Sequence, residues 1–130
     1  MHYSLDTSVC VEMMRKGESF DALELDLSNC TLSTIVRFEL ECGIQQAPSG
    51  IKAMLTKRLA LLLGNVQCIP FDADAALHAA DIRAELEKQG TPIGRYDTLI
   101  AGHARAQNLT VVTGNRQEFE RVPHLKVISI

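Results

Sequence analysis

No C-x-x-C pair occurs in the chain, and Cys10, Cys30, Cys42 and Cys68 stand far apart in apolar surroundings. That spacing argues against a zinc site, whose ligands usually come in short pairs. Buried free thiols in a reducing cytoplasm are expected instead. No basic region followed by a long apolar stretch opens the chain, so no signal peptide is expected. The longest apolar run, LALLLG with its upstream neighbours, falls well short of the roughly 20 residues that a membrane span needs. Positive charge is not in excess either, and the net charge of −3 argues against a general polyanion binder. A nucleic-acid role would then need a local basic patch, or metal ions to offset phosphate charge. Linkers, internal repeats and low-complexity segments are also missing.

What is present describes an ordinary soluble domain, with 46% hydrophobic and 22% charged residues. A chain of 130 residues suits one domain with a core that needs no staples. HYSLD reads as a short strand, followed by a helix through roughly Met14 with a stop at Gly17. A second helical stretch, ESFDALELDLS, leads to a strand at NCTLS. STIVRFELECGIQQA has helical spacing with Ser33 as its cap. PSGIKAMLTKRLALLLGN is another helix, with Pro48 near its start and Gly64 at its end. VQCIPF is a strand, and DADAALHAADIRAELEKQG is a long helix opened by Asp72 or Asp74 and closed by Gly90. After the turn-like TPIG come a helix at RYDTLIAGHARAQN and a buried-type strand at LTVVT. A short helix within GNRQEFERV and a last strand at LKVISI complete the chain. Strands alternating with helices imply an α/β sandwich around a mainly parallel sheet.

Several acids stand where packing alone would not put them. In such sheets, ligands collect beyond the carboxyl ends of the strands, and Asp6 lies at one such end. It could cap the following helix, yet Thr7 and Ser8 are available for that task. The expectation is therefore that Thr7 or Ser8 caps the helix and leaves Asp6 free. At about 100° per residue, Glu39 falls within the apolar arc of Leu32, Ile35, Val36, Leu40 and Gly43. A carboxylate there is costly unless it is ion-paired or holds a metal. Arg37 and Glu41 point the other way, so Glu41 serves as a solvent-exposed control. Asp97 lies in the first turn of its helix, where the dipole alone would favour an acid. On the helical wheel it falls between Ala101 and Ala104, a small-residue flank that permits close approach. Asn115 and Glu118 follow LTVVT at another carboxyl end, and each also reads as a cap or a surface residue. Several carboxylates gathered at one sheet edge would repel each other and raise their pKa values. Hard divalent cations remove that difficulty and favour chemistry at phosphate.

The motifs LDTS, STIVRFELECG with its Glu39-x-x-x-Gly43 spacing, and IRAELEKQGTPIGRYDTLIAGHARAQNLTVVTGNRQEFERV carry a resemblance. The chain resembles the PIN-domain ribonucleases, most closely the VapC toxins of type II toxin–antitoxin pairs. The resemblance spans nearly the whole chain. It implies a PIN-like three-layer sandwich with a central five-stranded parallel sheet flanked by helices. It also implies a Mg²⁺- or Mn²⁺-dependent endoribonuclease that inhibits translation by cutting structured RNA, with initiator tRNA in its anticodon stem-loop as the expected substrate. Asp6, Glu39 and Asp97 match the family's acidic metal-site positions. Asn115 stands where many relatives carry a further Asp, which puts a second tightly bound metal in doubt. Glu118 is the candidate for the missing acid, directly or through water. Thr7 and Thr113 are further candidates for the same site. Arg95 stands where a Pro is common before the YD pair. The implied partners are a VapB-type antitoxin, a tRNA substrate and a second copy of the chain, within a homodimer or a larger toxin–antitoxin assembly.

Arg15, Lys16, Arg95 and Arg116 are candidates for holding RNA phosphates, against a plain reading as solvated surface. His103 shares an apolar stripe with Tyr96, Leu99 and Ile100, which suggests a satisfied core histidine over a general base. An aspartyl-phosphate phosphatase usually carries a second Asp two residues after the first, and Ser8 occupies that position. A PIN domain that binds RNA or a protein without cutting is the remaining alternative. The loss of charge at Asn115 favours it, and the retention of Asp6, Glu39 and Asp97 opposes it.

Overall fold

The computed structural model describes residues 2–16 and 25–130. Five strands form one parallel sheet: β1 (Tyr3–Leu5), β2 (Cys30–Ser33), β3 (Gln67–Ile69), β4 (Thr110–Thr113) and β5 (Val127–Ser129). Their order is β3-β2-β1-β4-β5. The helices between them are α1 (Thr7–Lys16), α2 (Thr34–Gln46), α3 (Ser49–Asn65), α4 (Ala73–Lys88), α5 (Arg95–Ala106) and α6 (Arg116–Phe119). Parallel strands need such crossovers, and right-handed ones send the chain outward from β1 along one face of the sheet. The chain then returns to β4 along the other face. The expected α/β sandwich with a five-stranded parallel sheet is what the chain adopts. Most of the stretch expected to be helical at ESFDALELDLS, and the stop at Gly17, lie outside the described residues. Its end is a short 3-10 turn at Leu27–Asn29, capped by Asp26.

Local chemistry explains the element ends. Ser33 caps α2 by accepting from the Val36 N–H at 3.2 Å, and Asp72 caps α4 by accepting from the Ala75 N–H at 2.9 Å. Gly90 closes α4 at φ +72. There the Thr91 N–H reaches the Leu86 carbonyl and the Gly90 N–H reaches that of Glu87, the paired bonds of a left-handed helix stop. Gly64 behaves differently from the expectation: α3 runs through it to Asn65. The end is closed by the Asn65 amide on the Leu61 carbonyl and the Val66 N–H on that of Leu62.

The core is built from strand residues and the inward faces of the helices. Leu5, Leu32, Val36, Ile82, Val111 and Phe119 are fully buried. Burial on both sheet faces explains why CTLS and TVVT contain so few exposed positions. Gly102 lets α5 cross α4 closely, since a Cβ there would stand 2.6 Å from the Ala79 backbone nitrogen. Cys10 and Cys30 are buried free thiols, while Cys42 and Cys68 are half-buried and also free. Burial pushes the Cys10 thiol up strongly, with the Asp6 charge adding to it.

Candidate active site

The strand order reverses between β1 and β4: the chain moves from β1 outward to β3, then returns beside β1 and moves outward to β5. A crevice opens at the carboxyl ends of two such strands, where helices leave in opposite directions. Asp6 follows β1, Ser33 ends β2, and Thr113 ends β4. Asp6 and the loop after β4 therefore face one another by topology.

Asp6 is 3% exposed and its carboxylate is fully engaged. Its Oδ1 accepts from the Val9 N–H at 3.1 Å and from the Ser8 hydroxyl at 2.7 Å. Its Oδ2 accepts from the Thr113 hydroxyl at 2.5 Å. The bond from Val9 makes Asp6 itself the cap of α1, which corrects the expectation that Thr7 or Ser8 would cap in its place. Those two hydroxyls have other tasks. Thr7 Oγ1 donates to Glu39 Oε1 at 2.6 Å, tying α1 to α2. Ser8 accepts from the Gly114 N–H at 3.1 Å, while Thr113 accepts from the Asn115 N–H at 2.7 Å. Ser8 and Thr113 thus each take a backbone N–H from the loop after β4 and turn their own proton toward Asp6. Ser8 was read from sequence only as a cap. The two-residue spacing from Asp6 was the signal for this local side-chain bond.

Glu39 is half-buried on α2, between buried Val36 and Leu40, while Glu41 is exposed. Among the described residues, no cation lies within ion-pairing distance of Asp6, Glu39, Asp97 or Glu118. A buried ion pair therefore does not account for Glu39. Asp97 occupies the first turn of α5, and its carboxyl is pushed up to about 7. Burial is the largest cause, followed by a hydrogen bond with Glu118, then the charges of Glu118, Asp6 and Glu39. Four acids from α1, α2, α5 and α6 therefore share one basin. Gly94 leaves room for the Asp97 carboxylate, since a Cβ there would stand 3.3 Å from Oδ2.

The remaining candidates divide by position. Asn115 precedes α6 and is exposed; its side chain makes no capping bond. Arg95 is exposed at the start of α5, two residues before Asp97. Arg116 opens α6 and pairs with Glu120. Arg15 and Lys16 both pair with Glu12, at 3.2 and 3.7 Å. They close α1 at the end opposite Asp6, about 15 Å along the helix axis. The structure therefore does not bring them to the basin. His103 is fully buried, as a core residue should be, but neither ring nitrogen has a hydrogen-bond partner. Burial lowers its pKa; the Asp72 charge opposes the shift, followed by the Pro70 carbonyl, which does not reach hydrogen-bond geometry. A neutral, enclosed imidazole has no access to substrate.

Among the described residues, no three acidic, His or Cys side chains are already drawn together as a metal cage. The basin nevertheless fits a hard divalent cation. Its donors are all oxygens, and the raised Asp97 pKa reports crowded negative charge that such an ion would relieve.

Comparison with known proteins agrees with this architecture. The PIN domain model matches residues 3–125. A tRNA(fMet)-specific endonuclease VapC from Salmonella typhimurium is 36% identical, over 98% of this chain and 96% of that protein. Ribonuclease VapC2 from Rickettsia felis is 38% identical, over 96% and 95% of the two chains. Among solved structures, VapBC2 from Rickettsia felis, bound to a DNA fragment from its promoter, superposes with a TM-score of 0.90. It shares 36% identity with this chain and covers 100% of it and 99% of its own. DNA-bound VapBC from Salmonella typhimurium gives 0.85 at 33% identity, covering 99% and 98%. With the family model spanning nearly all of the sheet and its helices, and these relatives matching end to end, the chain belongs to the PIN domain family, among its VapC members.

Proposed function

We propose that this chain is the toxin of a type II toxin–antitoxin pair, an endoribonuclease that works with Mg²⁺ or Mn²⁺. The observation that carries this reading is the acidic basin at the switch point, where the Asp97 carboxyl is pushed up to about 7 by burial and by three other acids. Asp6, Glu39 and Asp97 would hold the cation, with Glu118 joining them directly or through water. When bound, the cation supplies a Lewis acid that lowers the pKa of a water and offsets charge on the scissile phosphate. The chain's own contribution is orientation. Val9, Ser8 and Thr113 fix both oxygens of Asp6, and Thr7 aims Glu39. The Asp97 carboxyl, pushed up to about 7, must lose its proton before it can act as a ligand. Cation affinity and cleavage should therefore rise with pH through about 7.

The substrate would be a structured RNA, with initiator tRNA cut in its anticodon stem-loop as the specific proposal. The printed name of the Salmonella relative, a tRNA(fMet)-specific endonuclease, supports it. The solved relatives are VapBC complexes, which supports a VapB-type antitoxin as partner. The toxin itself would be a homodimer within that assembly, acting in the cytoplasm where tRNA is found. The test uses the purified chain, freed from its antitoxin, on tRNA with Mg²⁺, Mn²⁺ or EDTA. Cleavage should need the cation and vanish in Asp6→Asn. That variant should stay folded with α1 still capped, because Asn caps helices as well as Asp. It should melt somewhat below the wild type, because it loses the acceptor for the Thr113 hydroxyl. Undiminished cation-dependent cleavage by Asp6→Asn would overturn the site. RNA binding in EDTA with no cleavage after Mg²⁺ addition would favour the non-cutting alternative. Sequencing of RNA ends after brief induction would identify the substrate.

A further inference from the structure

The chain has no Trp, two Tyr and four Phe. Phe119 is fully buried, and Tyr3 and Phe71 are half-buried. Among the described aromatic residues, Phe38 at 49% and Tyr96 at 40% are the exposed ones. These two touch each other across α2 and α5, with ring centroids 5.7 Å apart and planes tilted by 52°. Each immediately precedes a site acid and follows an arginine: Arg37-Phe38-Glu39 on α2, Arg95-Tyr96-Asp97 on α5. The same sequence of cation, aromatic and acid thus occurs on two helices that meet at the rings. Arg37 and Arg95 are exposed and, among the described residues, neither is in an ion pair.

We propose that Phe38 and Tyr96 form the platform on which the RNA bases beside the scissile phosphate stack, with Arg37 and Arg95 holding the adjoining phosphates. This inference rests on the ribonuclease reading above. The physical need is plain. A basin of four acids repels a polyanion, and a net charge of −3 gives no general attraction to offset it. Ring faces bind bases without opposing charge, and single-stranded loops present unstacked bases for that purpose. The pair lies one residue from Glu39 and one from Asp97, so a base on the rings holds its backbone at the edge of the basin. Arg95 and Arg37 are exposed on the same helix turns and suit flanking phosphates, Arg37 from a position that also brings its charge near the Cys68 thiol.

The test is a hairpin RNA carrying 2-aminopurine in its loop, bound by the full chain with Asp6→Asn to block cleavage. Kinetics are followed in parallel with Asp6 intact. Binding should quench the 2-aminopurine fluorescence. The double variant Phe38→Leu with Tyr96→Leu should lose the quenching, bind roughly tenfold or more weakly, and show the loss in KM. Phe38→Tyr with Tyr96→Phe should restore both. The salt dependence of binding should be unchanged in the Leu variants, whereas Arg37→Gln and Arg95→Gln should each reduce its slope by about one. Leu77→Ser, which removes a side chain 70% exposed on α4, is the control and should alter neither quenching nor KM. If the intact chain cleaves RNA but the Leu variant keeps its quenching and KM, the platform is overturned and the ribonuclease reading stands. A changed oligomeric state by light scattering would make the pair a subunit contact and overturn it. Loss of antitoxin binding with RNA binding intact would do the same. If the wild-type chain neither binds nor cleaves RNA, the ribonuclease reading itself falls.

Discussion

Replacing Asp97 with Asn should make the protein more stable and inactive. The Asp97 carboxyl rises from 3.8 to about 7 in the folded chain. At about 1.36 kcal/mol per pKa unit, that rise corresponds to roughly 4 kcal/mol against the ionised form. Asp97 is only half-buried, and solvent screening reduces the figure to about 2 kcal/mol. Between pH 3.8 and about 7, the folded chain holds a proton that the unfolded chain has released. Stability therefore falls as pH rises through that window and stays low above it. Asn cannot ionise, and its amide can donate to Glu118. Urea unfolding in EDTA at about pH 8 should show Asp97→Asn more stable by about 2 kcal/mol, a rise of roughly 6–10 °C in Tm. Near pH 4 the advantage should almost vanish, because the wild-type carboxyl is then neutral when folded. Cleavage in Mg²⁺ should be lost, leaving a stabilised and inactive variant, as expected where function requires crowded charge. No gain at pH 8 would refute the crowding argument. An equal gain at both pH values would show that the amide acts through something other than charge.

Thr113→Val removes the hydroxyl that donates to Asp6 and accepts from Asn115, at a position that is fully buried. It should cost about 2 kcal/mol in chemical unfolding, as a hydrogen bond to a charged group does. Its cleavage rate should also fall, because Asp6 loses the contact on Oδ2. A stability matching the wild type would mean that the Thr113 contact contributes nothing. Gly102→Ala places a methyl 2.6 Å from the Ala79 backbone, which no rotamer can relieve. It should lower stability by about 1–3 kcal/mol, read as a lower Tm with the far-UV circular dichroism of the native state retained below it.

The fold was legible because its signals were local and repeated. Apolar runs such as LTVVT, bounded by Asn108 and Gly114, read as buried strands, and Ser33, Asp72 and Gly90 marked helix ends by chemistry that needs no tertiary context. Gly64 was misread for the opposite reason. Glycine within a helix and glycine just beyond it look alike in sequence, and the choice is made by whether the chain must turn there. Here Val66 must enter β3 directly, and a backbone in the β region at that residue ends α3 without a left-handed stop. The α4–α5 crossing at Gly102 was also invisible, since its partner Ala79 is brought near only by the tertiary fold.

The acids were legible singly from local patterns, whereas Thr7 and Thr113 were marked only through the family resemblance and Ser8 only as a cap. Asp6, Glu39 and Asp97 each broke a local pattern: a charge at a strand end, on an apolar arc, on a small-residue flank. Thr7, Ser8 and Thr113 broke none, because hydroxyls are at home beside helix starts and at strand ends. Sequence logic treated capping and ligation as competing uses for neighbouring residues, so it assigned the cap to a hydroxyl and freed the acid. The geometry does the reverse. The acid caps α1 through Oδ1, and the cap is what orients it, since the Val9 N–H fixes the carboxylate plane that Ser8 and Thr113 complete. Thr7, released from capping, reaches Glu39 on a different helix. Capping and site-building are therefore one arrangement, in which each hydroxyl sets the direction of a carboxylate. Asn at position 6 keeps the cap on Val9 while removing the charge and the acceptor for Thr113, so it tests the chemistry on a chain whose α1 start is preserved.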